Sequence, residues 1–198
     1  LYPASIICLF SGGIDSLVGA IDVLTQTHEG VTLVGHYDGS GAKLQQNLAQ
    51  KLKQQFPGRV NFIQNRVGAM STASSVFGTL SPTSENTLRS RSFVFLALAV
   101  YVACQNKTNP AAPVLIPENG FIALNPPLTN ARLGSYSTRT AHPLFMAKVQ
   151  EVLVALSIGT TITNPLVEKT KGEVLAHSAN KALLLSLVPE TVSCAHPH

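Results

Sequence analysis

Short continuous apolar runs alternate with longer amphipathic ones, and that rhythm predicts the elements of the chain. Ser5–Phe10 is apolar at almost every position, the pattern of a parallel strand buried on both faces. Asp15–Gln26 carries Leu17, Val18, Ile21 and Leu24 at helical spacing. Val31–Tyr37 reads as the next strand. Ala42–Phe56, with Leu44, Leu48 and Leu52 every four residues, reads as the next helix, stopped by Pro57-Gly58. Val60–Gln64 is a third strand.

The rhythm then breaks. Val67 to Asn86 is rich in Ser, Thr and Gly without a period, and predicts a long loop of the kind that usually carries function. Leu88–Gln105 is the strongest helix, with Phe93, Leu96, Ala97, Val100 and Ala103-Cys104 assigned to its buried side. Ala112–Ile116 is a short strand and Gly120 to His142 a second long loop. Pro143–Leu156 is a helix opened by proline, and Thr160–Thr163 a last strand. Helices over Lys171–Ala176 and Lys181–Leu187 finish the chain. Strands alternating with helices predict a single α/β domain with a mainly parallel sheet. Ligands of such sheets sit beyond the carboxyl ends of the strands, where the strand order switches.

Composition narrows the function classes. Hydrophobic residues are 45% of the 198 and charged residues 12%, so the chain builds a core and is not disordered. It is read as a piece of a longer protein, some of whose apolar surface meets another domain or a partner. The net charge of +4 comes from 14 scattered Lys and Arg without a basic run, which argues against direct nucleic-acid binding. No apolar stretch reaches the roughly 20 residues that cross a bilayer. Three distant cysteines make no disulfide framework, and the expected location is the cytoplasm.

The chemistry concentrates in Ser11-Gly12-Gly13-Ile14-Asp15-Ser16, placed where a buried strand hands over to a helix. Two glycines let the backbone turn sharply and bring its N–H groups up to an anion, and the helix start adds its own N–H groups and positive dipole end. Ser11 and Ser16 supply hydroxyls, and Asp15 either caps the helix or helps hold Mg2+. No Walker-type lysine follows, and Gly39-Ser40-Gly41 lacks the third glycine of a dinucleotide fingerprint.

Ser-Gly-Gly-x-Asp-Ser resembles the signature of the PP-loop (N-type ATP pyrophosphatase) family, and the remaining motifs resemble its 7-cyano-7-deazaguanine synthase (QueC-like) branch. His36-Tyr37-Asp38-Gly39 is similar to the turn beside the adenine. Arg91-Ser92-Phe93-Val94-Phe95-Leu96 is similar to an Arg-Asn-x-x-Phe-Leu helix start. Glu118-Asn119-Gly120 is similar to a Gly-x-Asn segment near the base. Pro165-Leu166 with Thr170-Lys171-Gly172-Glu173 is similar to a Pro-Leu…Thr-Lys-x-Glu run.

The resemblance implies an adenine nucleotide alpha hydrolase-like three-layer fold and an enzyme that binds ATP and Mg2+. It implies transfer of AMP to a carboxylate, such as 7-carboxy-7-deazaguanine, with release of pyrophosphate and formation of a C–N bond. Ser11, Gly12, Gly13, Asp15 and Ser16 would hold the phosphates, helped by Arg91 and Lys171, with Tyr37, Asp38, Asn119 and Gly120 beside the nucleoside. Ser193-Cys194 resembles the family's Ser-Cys, which makes Cys194 the first of four zinc ligands and implies Zn2+ in the full-length protein.

Each residue also has a plainer reading. Asp38 fits a turn, Arg89 could replace Arg91, and Lys171 fits a solvated helix start. Phe121–Leu128 replaces the family's substrate loop, and Gly134–Pro143 resembles a divergent branch found in bacterial anti-phage systems. The acceptor is therefore a deazapurine acid or a protein amine. A homodimer or a partner protein stays open, as do a non-catalytic nucleotide-binding module and a PP-loop tRNA-modifying enzyme.

Overall fold

The structure is a computed structural model that describes residues 4–37, 41–66, 91–124, 126 and 141–192. Five parallel strands form one sheet in the order β3-β2-β1-β4-β5. They are β1 (Ala4–Leu9), β2 (Gly30–His36), β3 (Val60–Asn65), β4 (Val114–Leu115) and β5 (Ile162–Thr163). The helices are α1 (Ile14–Gln26), α2 (Ala42–Gln55), α3 (Arg91–Cys104), α4 (Gly120–Leu124), α5 (Pro143–Ala155), α6 (Lys171–Ala176) and α7 (Lys181–Leu187), with a 3-10 turn at Val188–Glu190.

The central strand explains the three layers. In β1 and just after it, Cys8 and Phe10 face a core shared with α1, α2, α6 and α7, packed with Leu17, Ile21, Leu48 and Leu184. Ile7 and Leu9 face the opposite core, shared with α3, α4 and α5 and packed with Leu96, Val100, Ala123 and Leu153. A strand with apolar residues on both faces needs cover on both, which is why its sequence does not alternate with polar residues.

Two expectations change. The strand expected over Ala112–Ile116 pairs regularly only at Val114–Leu115. Pro113 and Pro117 flank it and have no N–H to give the ladder. The long loop expected from Gly120 contains α4, whose Gly120 and Ala123 are buried. The expected helix bounds elsewhere agree within one residue, except that the helix expected from Leu88 is described only from Arg91, residues 88–90 lying outside the described residues.

The buried side of α3 is also corrected. Leu96, Ala99, Val100 and Ala103 point inward, whereas Phe93 is 53% exposed and Cys104 lies on the surface. The helix is apolar around most of its circumference, so its period could not locate the inner face.

Arg59, at the start of β3, fixes the far end of α1. Its guanidinium donates to Leu24 O at 3.0 Å, Thr27 O at 2.7 Å and Glu29 O at 3.0 Å. Leu24 O lies in the last turn of α1, where carbonyls lack intrahelical partners at the negative dipole end. Thr27 is the C-cap of α1, and Glu29 belongs to the connection to β2. Arg59→Ala is expected to lower stability by about 2 kcal/mol, with Arg59→Lys recovering only part because an ammonium lacks the fork. Urea unfolding at pH 7 checks it.

Candidate phosphate and metal site

β1 lies between β2 and β4, so the connections leaving its carboxyl end and that of β4 open toward the same rim. This is the switch point of the sheet. The turn after β1 is Ser11-Gly12-Gly13. Gly12 has φ +83°, a left-handed conformation that strains any L side chain, and Gln45 and Leu44 side chains leave little room for one. Gly13 is the N-cap of α1 and provides no side-chain cap, so the first N–H groups of the helix remain available at the rim.

The hydroxyls organise the turn itself. Ser16 Oγ donates to Gly13 O at 2.8 Å, Ser11 Oγ donates to Ser16 Oγ at 3.2 Å, and Gly13 N donates to Ser11 Oγ at 3.3 Å. The turn is thus held by its own hydroxyls, with the Gly13 amide directed to Ser11 Oγ.

Asp15 does not cap α1; it reaches across to the loop after β4. Asn119 donates to its Oδ2 from Nδ2 at 2.7 Å and from the backbone N at 3.4 Å. Its other oxygen, Oδ1, is buried without a hydrogen-bond partner among the described residues. The two segments can meet because α1 has Gly19 where a Cβ would lie 2.3 Å from the Pro117 ring. Asn164, after β5, clamps the next residue: its Nδ2 donates to Glu118 O at 2.8 Å and its Oδ1 accepts from Glu118 N at 3.3 Å.

Glu118 is thereby held beside Asp15. Burial pushes its carboxyl up to about 7, and the Asp15 charge adds to the rise. A buried carboxylate oxygen without a donor and a neighbouring carboxyl that resists ionisation are both relieved by a hard dication. Mg2+ takes one or two carboxylates together with phosphate oxygens and water, and the donors present fit it.

The other expected residues divide into three groups. Asn119 is buried, Gly120 N donates to Lys169 O at 2.8 Å, and the run from Val167 lies against the start of α4. Lys171 opens α6, which Thr170 and Glu173 cap reciprocally. Tyr37 stands on the rim after β2, 39% exposed, with the Arg66 guanidinium 5.6 Å from its ring centre. Arg91 is the first residue of α3, but its side chain lies outside the described residues, as do Asp38 and Cys194. Among the described residues no three His, Cys, Asp or Glu side chains gather as a metal-binding group.

Two residues of the site were missed in the sequence. For Glu118, an acidic residue after a proline at the end of a strand is the usable signal. Gly19 gave none, because its partner is almost a hundred positions away.

The described architecture is an α/β fold of the adenine nucleotide alpha hydrolase-like type. A solved structure with this fold is the U34-tRNA thiolase NcsA from Methanococcus maripaludis with its [4Fe-4S] cluster, with a TM-score of 0.54 and 14% sequence identity. The match covers 94% of this chain and 57% of the thiolase, so the chain spans little more than half of that protein's length. No family model and no curated protein matches the sequence. Among the described residues no helix is long and apolar enough to cross a membrane.

Proposed function

We propose that the protein is an ATP-dependent adenylating enzyme. The observation that carries this reading is the hydroxyl-held Ser11–Ser16 turn, which carries Asp15, whose buried Oδ1 has no hydrogen-bond partner among the described residues. In this reading the amides of the turn and the start of α1 receive the β and γ phosphates of ATP. Asp15 and Glu118 hold Mg2+, which would neutralise charge on the departing pyrophosphate. A substrate carboxylate attacks the α phosphorus, the bond to the bridging oxygen breaks, and an acyl adenylate forms. A nitrogen nucleophile then displaces AMP and leaves an amide, which a second activation could dehydrate to a nitrile. The acceptor class proposed is a 7-carboxy-7-deazaguanine-like acid, with a protein amine as the alternative in an anti-phage setting.

A tRNA-modifying sulfur transfer, the activity in the name of the thiolase, is the rival reading. Cys8 disfavours it: the thiol is fully buried in the core and burial pushes it to about 12, so it offers no thiolate at neutral pH. Cys104 ends α3, just before the chain returns to the amino end of β4, away from the rim.

The test is pyrophosphate and AMP release from MgATP by the protein, with and without 7-carboxy-7-deazaguanine, following the acid by mass spectrometry. Acid-dependent AMP that disappears in Asp15→Ala supports the reading, and the product mass separates nitrile from protein conjugate. Tight ATP binding without AMP for any such acid would replace it with a non-catalytic binding module.

A further inference from the structure

Gln45 is a polar side chain that the phosphate site does not itself require, yet it is 3% exposed. It belongs to the second turn of α2, and its side chain extends over the ends of β1 and β2. Its Nε2 donates to Ser11 O at 3.1 Å and to His36 O at 3.3 Å. Its Oε1 accepts from Gln64 Nε2 at 3.0 Å, and Gln64 also donates to Ala42 O at 3.2 Å. The amide is therefore satisfied on both sides and fixed in one orientation.

The two carbonyls it joins are informative. Ser11 begins the phosphate-binding turn, and His36 precedes Tyr37 and the turn assigned to the nucleoside. Neither carbonyl belongs to a helix. The space for this amide is made by two glycines. A Cβ on Gly35 would lie 2.3 Å from Gln45 Oε1, and a Cβ on Gly12 would lie 3.2 Å from Gln45 Cγ. Backbone in the turn after β1 and near the end of β2 is thus kept free of side chains where one glutamine crosses between them.

We propose that Gln45 is a positioning residue that sets the distance between the phosphate turn and the nucleoside-side turn, so that nucleotide affinity depends on its amide. This rests on the reading that ATP occupies the Ser11–Ser16 turn. A single side-chain amide holding both turns lets phosphates and nucleoside be engaged together without either turn having to be ordered on binding. Losing the amide removes one donor shared by the Ser11 and His36 carbonyls and lets the two segments move independently.

The experiment compares Gln45→Met, which keeps length and apolar volume, with Gln45→Asn, which keeps an amide too short to reach both carbonyls. Gln46→Met is the control, since Gln46 reaches the outer end of the network, donating to Gln64 Oε1 at 2.7 Å. MgATP affinity is measured by calorimetry, and amide hydrogen exchange is followed in the nucleotide-free protein. The expected result is at least a tenfold rise in Kd for Gln45→Met and a smaller rise for Gln45→Asn. Exchange should quicken at residues 11–14 and 36–37 while the rest of β1, β2 and α2 stays protected. Gln46→Met should leave both readouts unchanged.

Wild-type affinity in either folded Gln45 variant, or exchange that quickens evenly through the whole sheet, would overturn the proposal in favour of a purely structural glutamine. Should Gln45→Met fail to fold, Gln45→Asn decides on the same readouts. If the wild-type protein binds no MgATP, the nucleotide reading fails and the affinity claim falls with it. The exchange pattern still reports separately whether the glutamine couples the two turns.

Discussion

Asp15→Asn is expected to lower acid-dependent pyrophosphate release by 10²- to 10³-fold while leaving the protein folded. The substitution keeps the shape of the side chain and an oxygen to accept from Asn119 Nδ2, so the link between α1 and the loop after β4 survives. What it removes is a negative charge at a buried position whose Oδ1 has no hydrogen-bond partner among the described residues. If that charge serves to bind Mg2+ and thereby stabilise departing pyrophosphate, its loss falls on the transition state. A factor of 10²–10³ corresponds to about 3–4 kcal/mol, the scale of a lost electrostatic stabiliser in a water-poor site. Stability should hold or rise slightly, because the neighbouring Glu118 carboxyl no longer meets a like charge. Pyrophosphate release and a thermal melt on the same preparation separate the two effects. Loss of activity together with a collapsed melt would mean that Asp15 is structural, and retained activity would remove it from the chemistry.

The contrast between Asp15 and Glu118 also marks how far the sequence could be read. The β1–turn–α1 unit was legible because everything that makes it is local: an apolar strand, two glycines and the first turn of a helix within a dozen residues. The order of helices and strands was legible for the same reason, apart from the proline-shortened β4 and the short α4 that follows it. The inner face of α3 was not, because Phe93, Tyr101 and Cys104 are as apolar as the residues that ended up buried. The acidic pair was not legible either. It exists because Gly19 lets α1 press on Pro117 and because Asn164 clamps Glu118, contacts between segments far apart in the chain. Gln45 was hidden in the same way, since in the sequence it is one of several glutamines on an amphipathic helix. The readings of Asp38, Arg91 and Cys194 concern residues or side chains outside those described.

Glu118→Gln is expected to stabilise the nucleotide-free protein above neutral pH while weakening its use of MgATP. The folded-state carboxyl is raised to about 7 from an ordinary value of 4.5, first by burial and then by Asp15. Between those two values the folded state holds a proton that the unfolded chain has already released. Stability therefore falls as pH rises from about 4.5 through about 7, and levels off above it. A shift of this size corresponds to up to about 3 kcal/mol at pH 8, which Gln does not incur because it carries no charge. Thermal melts should thus show the variant higher by roughly 5–10 °C at pH 8 and close to wild type at pH 5. A variant with no advantage at pH 8 would mean that Glu118 ionises without cost in the folded protein. The same measurement repeated with MgATP should reverse the order. A dication held by Asp15 and Glu118 would offset the repulsion, so the wild type should gain melting temperature from ligand and the variant little. MgATP affinity of the wild type should also rise with pH through about 7, since a proton must leave before the metal is held. In this reading the acidic pair is a local cost in stability that keeps both carboxylates ready for the metal.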